Sequence, residues 1–175
     1  MDRRTAIFAA RLSLVGNAAG GDALQPGPND DNGVEFLIPA GVSAHTESMR
    51  FTIPDGFPQL RVFSVGSHMH YAGVDMLIEV ERPSGDDECL LQTPTYKFEW
   101  QRSYTYDADI NAVPRLQAGD VLTLRCTYNN TMDNPSLAEA LRQAGKDEPQ
   151  DIVLGDETND EMCLAVIGTV FPNVL

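Results

Sequence analysis

Two short strings, far apart in the chain, carry most of the chemistry: Ser67-His68-Met69-His70 and Asp160-Glu161-Met162-Cys163. Side chains on a β-strand alternate with period two, so His68 and His70 point to one face and a single metal ion can reach both imidazoles. Met162 could add a thioether from another strand. Two imidazoles and a thioether form a borderline-soft donor set, and among common metals that set favours copper, Cu(I) above all. An isolated His-x-His reads equally well as two polar residues on a solvated strand face. The conjunction of the two strings is what points to a site for one copper ion.

Such a site needs strands to hold it, and the chain reads as all-β. The expected strands are Ala6–Val15, Val34–Ile38, Ser48–Ile53, Gln59–His70, Val74–Arg82, Glu88–Gln92, Tyr104–Ile110, Val121–Asn129 and Met162–Phe171. They are short and rich in Val, Ile, Phe, Tyr and Thr. Between them fall turn formers: Pro39-Ala40-Gly41, Pro54-Asp55-Gly56, Pro83-Ser84-Gly85 and Ala118-Gly119-Asp120. Short strands at this spacing predict an antiparallel β-sandwich or jelly roll. One short helix is expected inside a loop, over Ser136–Ala144, with Pro135 in its first turn and Gly145 as its stop. Residues 16–33, rich in Gly, Asn, Asp and Pro, read as a mobile loop.

Composition sets the outer bounds. A chain of 175 residues, 42% of them hydrophobic, is expected to form one domain over 1–175 with a core that needs no metal in order to fold. A formal net charge of −14 argues against a nucleic-acid or anionic-membrane partner. No apolar run approaches the length of a membrane span. Arg11 interrupts the apolar stretch after Met1-Asp2-Arg3-Arg4, so no signal peptide is evident. If the protein is secreted, its signal is expected upstream, which would make this chain part of a longer one. Most of the carboxylates, such as Asp30-Asp31 and Asp86-Asp87-Glu88, are read as solvated.

The three cysteines leave three readings open at this point. A bridge between Cys126 and Cys163 would tie the Met162 strand to its neighbour and leave Cys89 as an odd thiol in an acidic turn. Three buried free thiols would suit a cytosolic protein. Cysteines as metal ligands are disfavoured by the absence of any CxxC-type spacing.

The order of these motifs resembles the copper type II, ascorbate-dependent monooxygenases, the family of the peptidylglycine hydroxylating and dopamine β-monooxygenases. The likeness rests on His68-x-His70 followed by Gly73, on Gly119-Asp120, on Cys126 in a strand, and on Gly155-x-x-Thr158-x-Asp160-Glu161-Met162-Cys163. It covers about residues 34–172 and corresponds to the C-terminal half of the family's catalytic core. The stretch from Lys97-Phe98-Glu99-Trp100-Gln101-Arg102 to Tyr104, with Asn134-Pro135, is more similar to bacterial members. Phe98, Trp100 and Tyr104 are themselves read as sandwich core and loop packing.

The resemblance implies that His68, His70 and Met162 bind the copper where oxygen and substrate meet, and that Cys126 and Cys163 form a disulfide. It implies hydroxylation of a C–H bond in a small-molecule substrate by O2, with ascorbate or another reductant, in an extracellular or periplasmic setting. Asp160 or Glu161 could brace a ligand histidine from behind. Two departures matter. The family's electron-donating copper is bound by histidines of a preceding domain, whereas only His45 remains here once the pair is assigned, and His45 reads as a loop residue. An N-terminal electron-donating copper domain is therefore expected in the parent protein. Peptidylglycine enzymes also grip a substrate carboxylate with an arginine, an asparagine and a tyrosine where this chain has Gly66, Leu164 and Val166. None of these can pair with a carboxylate, so peptide amidation is not expected and a smaller or less polar substrate is. A non-enzymatic copper-binding module for storage or delivery stands as the alternative function.

Overall fold

In the computed structural model, Ala10–Val15, Gln25–Pro26 and residues 36–171 are described. They form β1 (Ala10–Val15), β2 (Gln25–Pro26), β3 (Leu37–Ile38), β4 (His45–Thr52), β5 (Leu60–His68), β6 (Gly73–Glu81) and β7 (Asp87–Thr93). A 3₁₀ turn at Phe98–Trp100, β8 (Ser103–Thr105), β9 (Arg115–Leu116) and β10 (Val121–Tyr128) follow. The helix α1 (Pro135–Gln143), β11 (Ile152–Val153) and β12 (Leu164–Val170) complete the order. One antiparallel sheet runs β1-β12-β5-β8, with β9 also on β5; the other runs β2-β4-β10-β6-β7; β11 and β3 make a small ribbon. The protein is an all-β sandwich with one short helix.

The pattern of each strand shows why the two sheets face each other. In β10 the residues Leu122, Leu124, Cys126 and Tyr128 alternate inward, and β6 answers with Met76, Ile78 and Val80. From the other sheet come Val62 and Val65 of β5 with Ala165 and Ile167 of β12. Every one of these side chains is buried, which is what period-two alternation on a half-buried sheet requires.

One irregularity in β5 decides the placement of the histidines. Opposite β12, Gly168 pairs with Ser64 but the next residue, Thr169, pairs with Val62, so Phe63 is an extra residue. A bulge of this kind inverts the alternation beyond it. Leu60 and Val62 point into the core before the bulge; Val65 and Ser67 do so after it, and His68 faces away. Gly168 makes room for the bulge, because a Cβ there would lie 2.2 Å from Ser64 Oγ and 2.8 Å from the Phe63 ring.

Several boundaries differ from the sequence expectation. The strand expected from Ala6 is described from Ala10, and 6–9 lie outside the described residues, as does the loop over 16–33 apart from Gln25–Pro26, which pairs with β4 as a two-residue strand. The Val34–Ile38 strand is only Leu37–Ile38, with 34 and 35 outside the described residues. The strand expected over Tyr104–Ile110 is only Ser103–Thr105, and further on Asp109 turns the chain by accepting the Asn111 N–H. His45 is not a loop residue: it opens β4, opposite Tyr128, and its Nε2 lies 2.6 Å from Glu47 Oε1. Helix α1 starts at Pro135 because Asn134 caps it, its Oδ1 accepting from Ser136 and Leu137 N–H.

Candidate metal centre

β5 ends at His68, and the chain then turns through Met69 and His70 into Tyr71. Met69 and His70 are buried and His68 is half-buried. The His68 and His70 rings sit side by side, 5.2 Å between centroids and nearly perpendicular. His70 Nδ1 lies 2.8 Å from the Asp160 carbonyl. In neutral imidazole that contact puts the proton on Nδ1 and leaves the Nε2 lone pair free for a metal. Burial lowers the pKa of His68, a hydrogen bond to Gln101 works against it, and the neighbouring His70 ring adds a little to the lowering. The neutral, ligating form of His68 is favoured.

Glu161 joins the two sequence strings. It is 1% exposed, and its Oε2 accepts the N–H of both His70, at 2.7 Å, and Met162, at 3.1 Å. Its Oε1 accepts from Ala72 at 2.7 Å and Gly73 at 3.3 Å. One carboxylate oxygen thus holds the backbones of His70 and Met162 against each other. Burial raises the Glu161 carboxyl to about 7 although four N–H donors pull the other way. The bracing expected of Asp160 and Glu161 takes a different form from the one their side chains suggested. Asp160 meets the imidazole with its backbone carbonyl, and Glu161 acts on peptide groups.

Three further contacts had no visible signal in the sequence. The Met69 N–H donates to the Tyr96 hydroxyl at 3.0 Å, and that hydroxyl donates to the Met69 carbonyl at 2.7 Å. The Tyr128 hydroxyl donates to the Met162 carbonyl at 2.9 Å. Burial keeps both phenols protonated, Tyr96 at about 12 and Tyr128 well above its ordinary value. Next to Met162, Cys163 is bridged to Cys126 of β10, across the sandwich. Cys89 is free and exposed.

The aromatic stretch lies at this site rather than in the core. Phe98 meets the His70 ring edge-on at 6.2 Å and stacks on Tyr71 at 4.5 Å. Trp100 is 50% and Tyr104 38% exposed, so of the reading as sandwich core and loop packing the core part does not hold for them. Between that turn and α1 an open pocket of about 670 Å³ is lined by Tyr71, Trp100, Ser136 and Ala140 among others.

Among the described residues no three His, Cys, Asp or Glu side chains converge on one point. What the structure brings together is the His68 and His70 imidazoles, with the backbone of Met162 tied to that of His70 through Glu161. The fold is thus a β-sandwich with two histidine side chains side by side where β5 ends. Residues 41–168 match the C-terminal domain of the copper type II ascorbate-dependent monooxygenases, and the chain belongs to this family. That family is defined by a copper cofactor and by ascorbate dependence.

Proposed function

We propose that His68, His70 and Met162 hold one copper ion, and that this domain is where O2 is activated to hydroxylate a substrate C–H bond. The observation that carries the reading is Glu161 Oε2 accepting the N–H groups of both His70 and Met162, which brings the two strings to one place. Copper supplies one-electron chemistry and O2 reactivity; one oxygen atom enters the substrate and the other leaves as water, with two electrons from the reductant and two protons. The chain's own part is geometric. The Asp160 carbonyl fixes the His70 tautomer, and His68 is only half-buried, within reach of a substrate.

The face around His68 bears on the substrate. Leu164 pairs with His68 and Val166 with Gly66, so all four share that side of the sheet. Two apolar residues and a glycine offer no charge to a substrate carboxylate. An uncharged end of the substrate suits this surface, and the pocket beside Tyr71 offers room for the rest.

The chain's three histidines leave His45 alone after this assignment, and it is engaged with Glu47. The second electron is therefore assigned to a separate copper domain of the parent protein. The same shortage favours, as a second reading, a copper-binding module without catalysis. The disulfide suits an extracellular or periplasmic location, and no helix among the described residues is long and apolar enough to cross a membrane.

Copper titration with electron paramagnetic resonance tests the site: one ion per chain is expected, and tight binding should disappear in His68→Ala and in His70→Ala. Wild-type affinity in both variants would sink the assignment. Product formation from O2 and ascorbate, with an electron-donating domain supplied, separates the monooxygenase from the carrier.

A further inference from the structure

We propose that Tyr96 and Tyr128 are positioning residues that preform the copper site, each governing a different part of the ligand set: Tyr96 the histidine pair and Tyr128 the thioether. The inference rests on the copper reading above and adds two residues to it. The N–H and C=O of one extended residue point to the same edge, where a neighbouring strand normally satisfies both. The β5–β12 ladder stops at His68 paired with Leu164, so Met69 needs another partner. The Tyr96 hydroxyl takes that place, bonded to both polar groups of Met69. Its ring is buried and cannot follow a moving loop. The side chain of Met69 is fixed as well, since it packs so closely on Gly73 that a Cβ there would lie 2.6 Å from Met69 Cβ. With Met69 held at backbone and side chain, the angle between its two flanking imidazoles is set before any metal arrives.

Tyr128 does the corresponding work on the other string. It lies two residues after Cys126 on β10, so both side chains point inward from the same face. Cys126 holds Cys163 through the disulfide, and Tyr128 holds the carbonyl of Met162. One strand of the opposite sheet therefore grips two consecutive residues of the Met162 segment. Removing the Tyr128 hydroxyl releases the Met162 carbonyl, loosening that residue although its N–H stays on Glu161, while the imidazoles remain held by Tyr96 and Glu161.

Because a thioether stabilises Cu(I) far more than Cu(II), whereas imidazoles bind both, the two phenols should be separable by oxidation state. Tyr96→Phe and Tyr128→Phe keep the rings and remove only the hydroxyls. Affinities for Cu(II), and for Cu(I) under anaerobic reduction, are measured on each purified variant, with thermal unfolding of the metal-free protein as the control for folding. Tyr96→Phe should weaken both ions alike, by about tenfold, the scale on which partners behind metal ligands act, and should change the Cu(II) resonance spectrum. Tyr128→Phe should weaken Cu(I) by about tenfold and leave Cu(II) close to wild type. Folded variants with wild-type affinities for both ions overturn the inference alone, as does a Tyr128→Phe protein that loses Cu(II) and Cu(I) equally. Wild-type protein that binds no copper overturns it together with the reading beneath it. A measurement without variants applies even where a variant does not fold. The Met69 amide should exchange slowly in metal-free wild type; fast exchange that slows only after copper is added refutes preformation.

Discussion

Cutting the Cys126–Cys163 bridge should cost the protein a large part of its stability. Both sulfurs are buried, at 0% and 1% exposure, and they join β10 to the segment entering β12, one residue in each half of the sandwich. The bridge closes a loop of 37 residues, for which loop-closure entropy gives about 4 kcal/mol. Domains of this kind have only about 5–15 kcal/mol in total. The test compares wild type with Cys126→Ala/Cys163→Ala in urea, following the fluorescence of the single tryptophan, Trp100. With a slope of about 2 kcal/mol per molar urea, the midpoint should fall by about 2 M. The slope itself should rise, because an uncrosslinked unfolded chain exposes more surface. Alkylation of the exposed Cys89 should leave the midpoint where it was. Coincident wild-type and variant curves would refute the argument, as would mass spectrometry finding three alkylatable thiols in protein prepared without reductant.

Three other outcomes follow from particular contacts. Met162→His should retain copper but shift its couple towards Cu(II), and Met162→Ile should lose Cu(I) far more than Cu(II); potentiometry distinguishes these from equal loss, which would make Met162 a packing residue. Burial raises the Glu161 carboxyl from 4.5 to about 7, so between those values the folded state binds the extra proton. Its contribution is complete below pH 4.5 and is lost as pH rises through 7, worth about 3 kcal/mol. The metal-free wild type should therefore show a falling component of stability over that range that Glu161→Gln lacks, and identical pH slopes in the two would contradict the assignment. Gly168→Ala should cost about 1–3 kcal/mol by overpacking, since its Cβ would meet Ser64 Oγ and the Phe63 ring; an unchanged melting temperature would mean that the bulge yields freely.

Much of the scaffold was legible in the sequence because it depends on local chemistry. Leu122, Leu124 and Cys126 alternate with polar residues, and Pro135 with Gly145 brackets the helix closely. Family membership was legible from the order of His68, His70, Cys126, Met162 and Cys163. The aromatic stretch was misread for a plain reason. Phe98, Trp100 and Tyr104 have core-like side chains, yet a 3₁₀ turn and a three-residue edge strand leave no depth in which to bury them. His45 was misread because strand pairing with Tyr128 extends β4 beyond what its polar residues suggest. Nothing in the neighbours of Tyr96 and Tyr128 reveals which peptide group a hydroxyl will reach.

The sequence set up the expectation that His68 and His70 share a face, because side chains alternate along extended backbone, and the rings do sit together although β5 ends at His68. It also held the order of motifs that marks a copper-dependent family. Which face the pair would take was decided only in the tertiary structure. Leu60 and Val62 face the core, and an unbroken alternation from them would have turned His68 inward as well. The extra residue at Phe63 reverses the parity, and it is accommodated because β12 brings Gly168 alongside. The meeting of Met162 with His70 is of the same kind. Ninety-one residues separate the Glu161 carboxylate from the His70 N–H it accepts, and local sequence carries no information about a contact that the packing of two sheets creates.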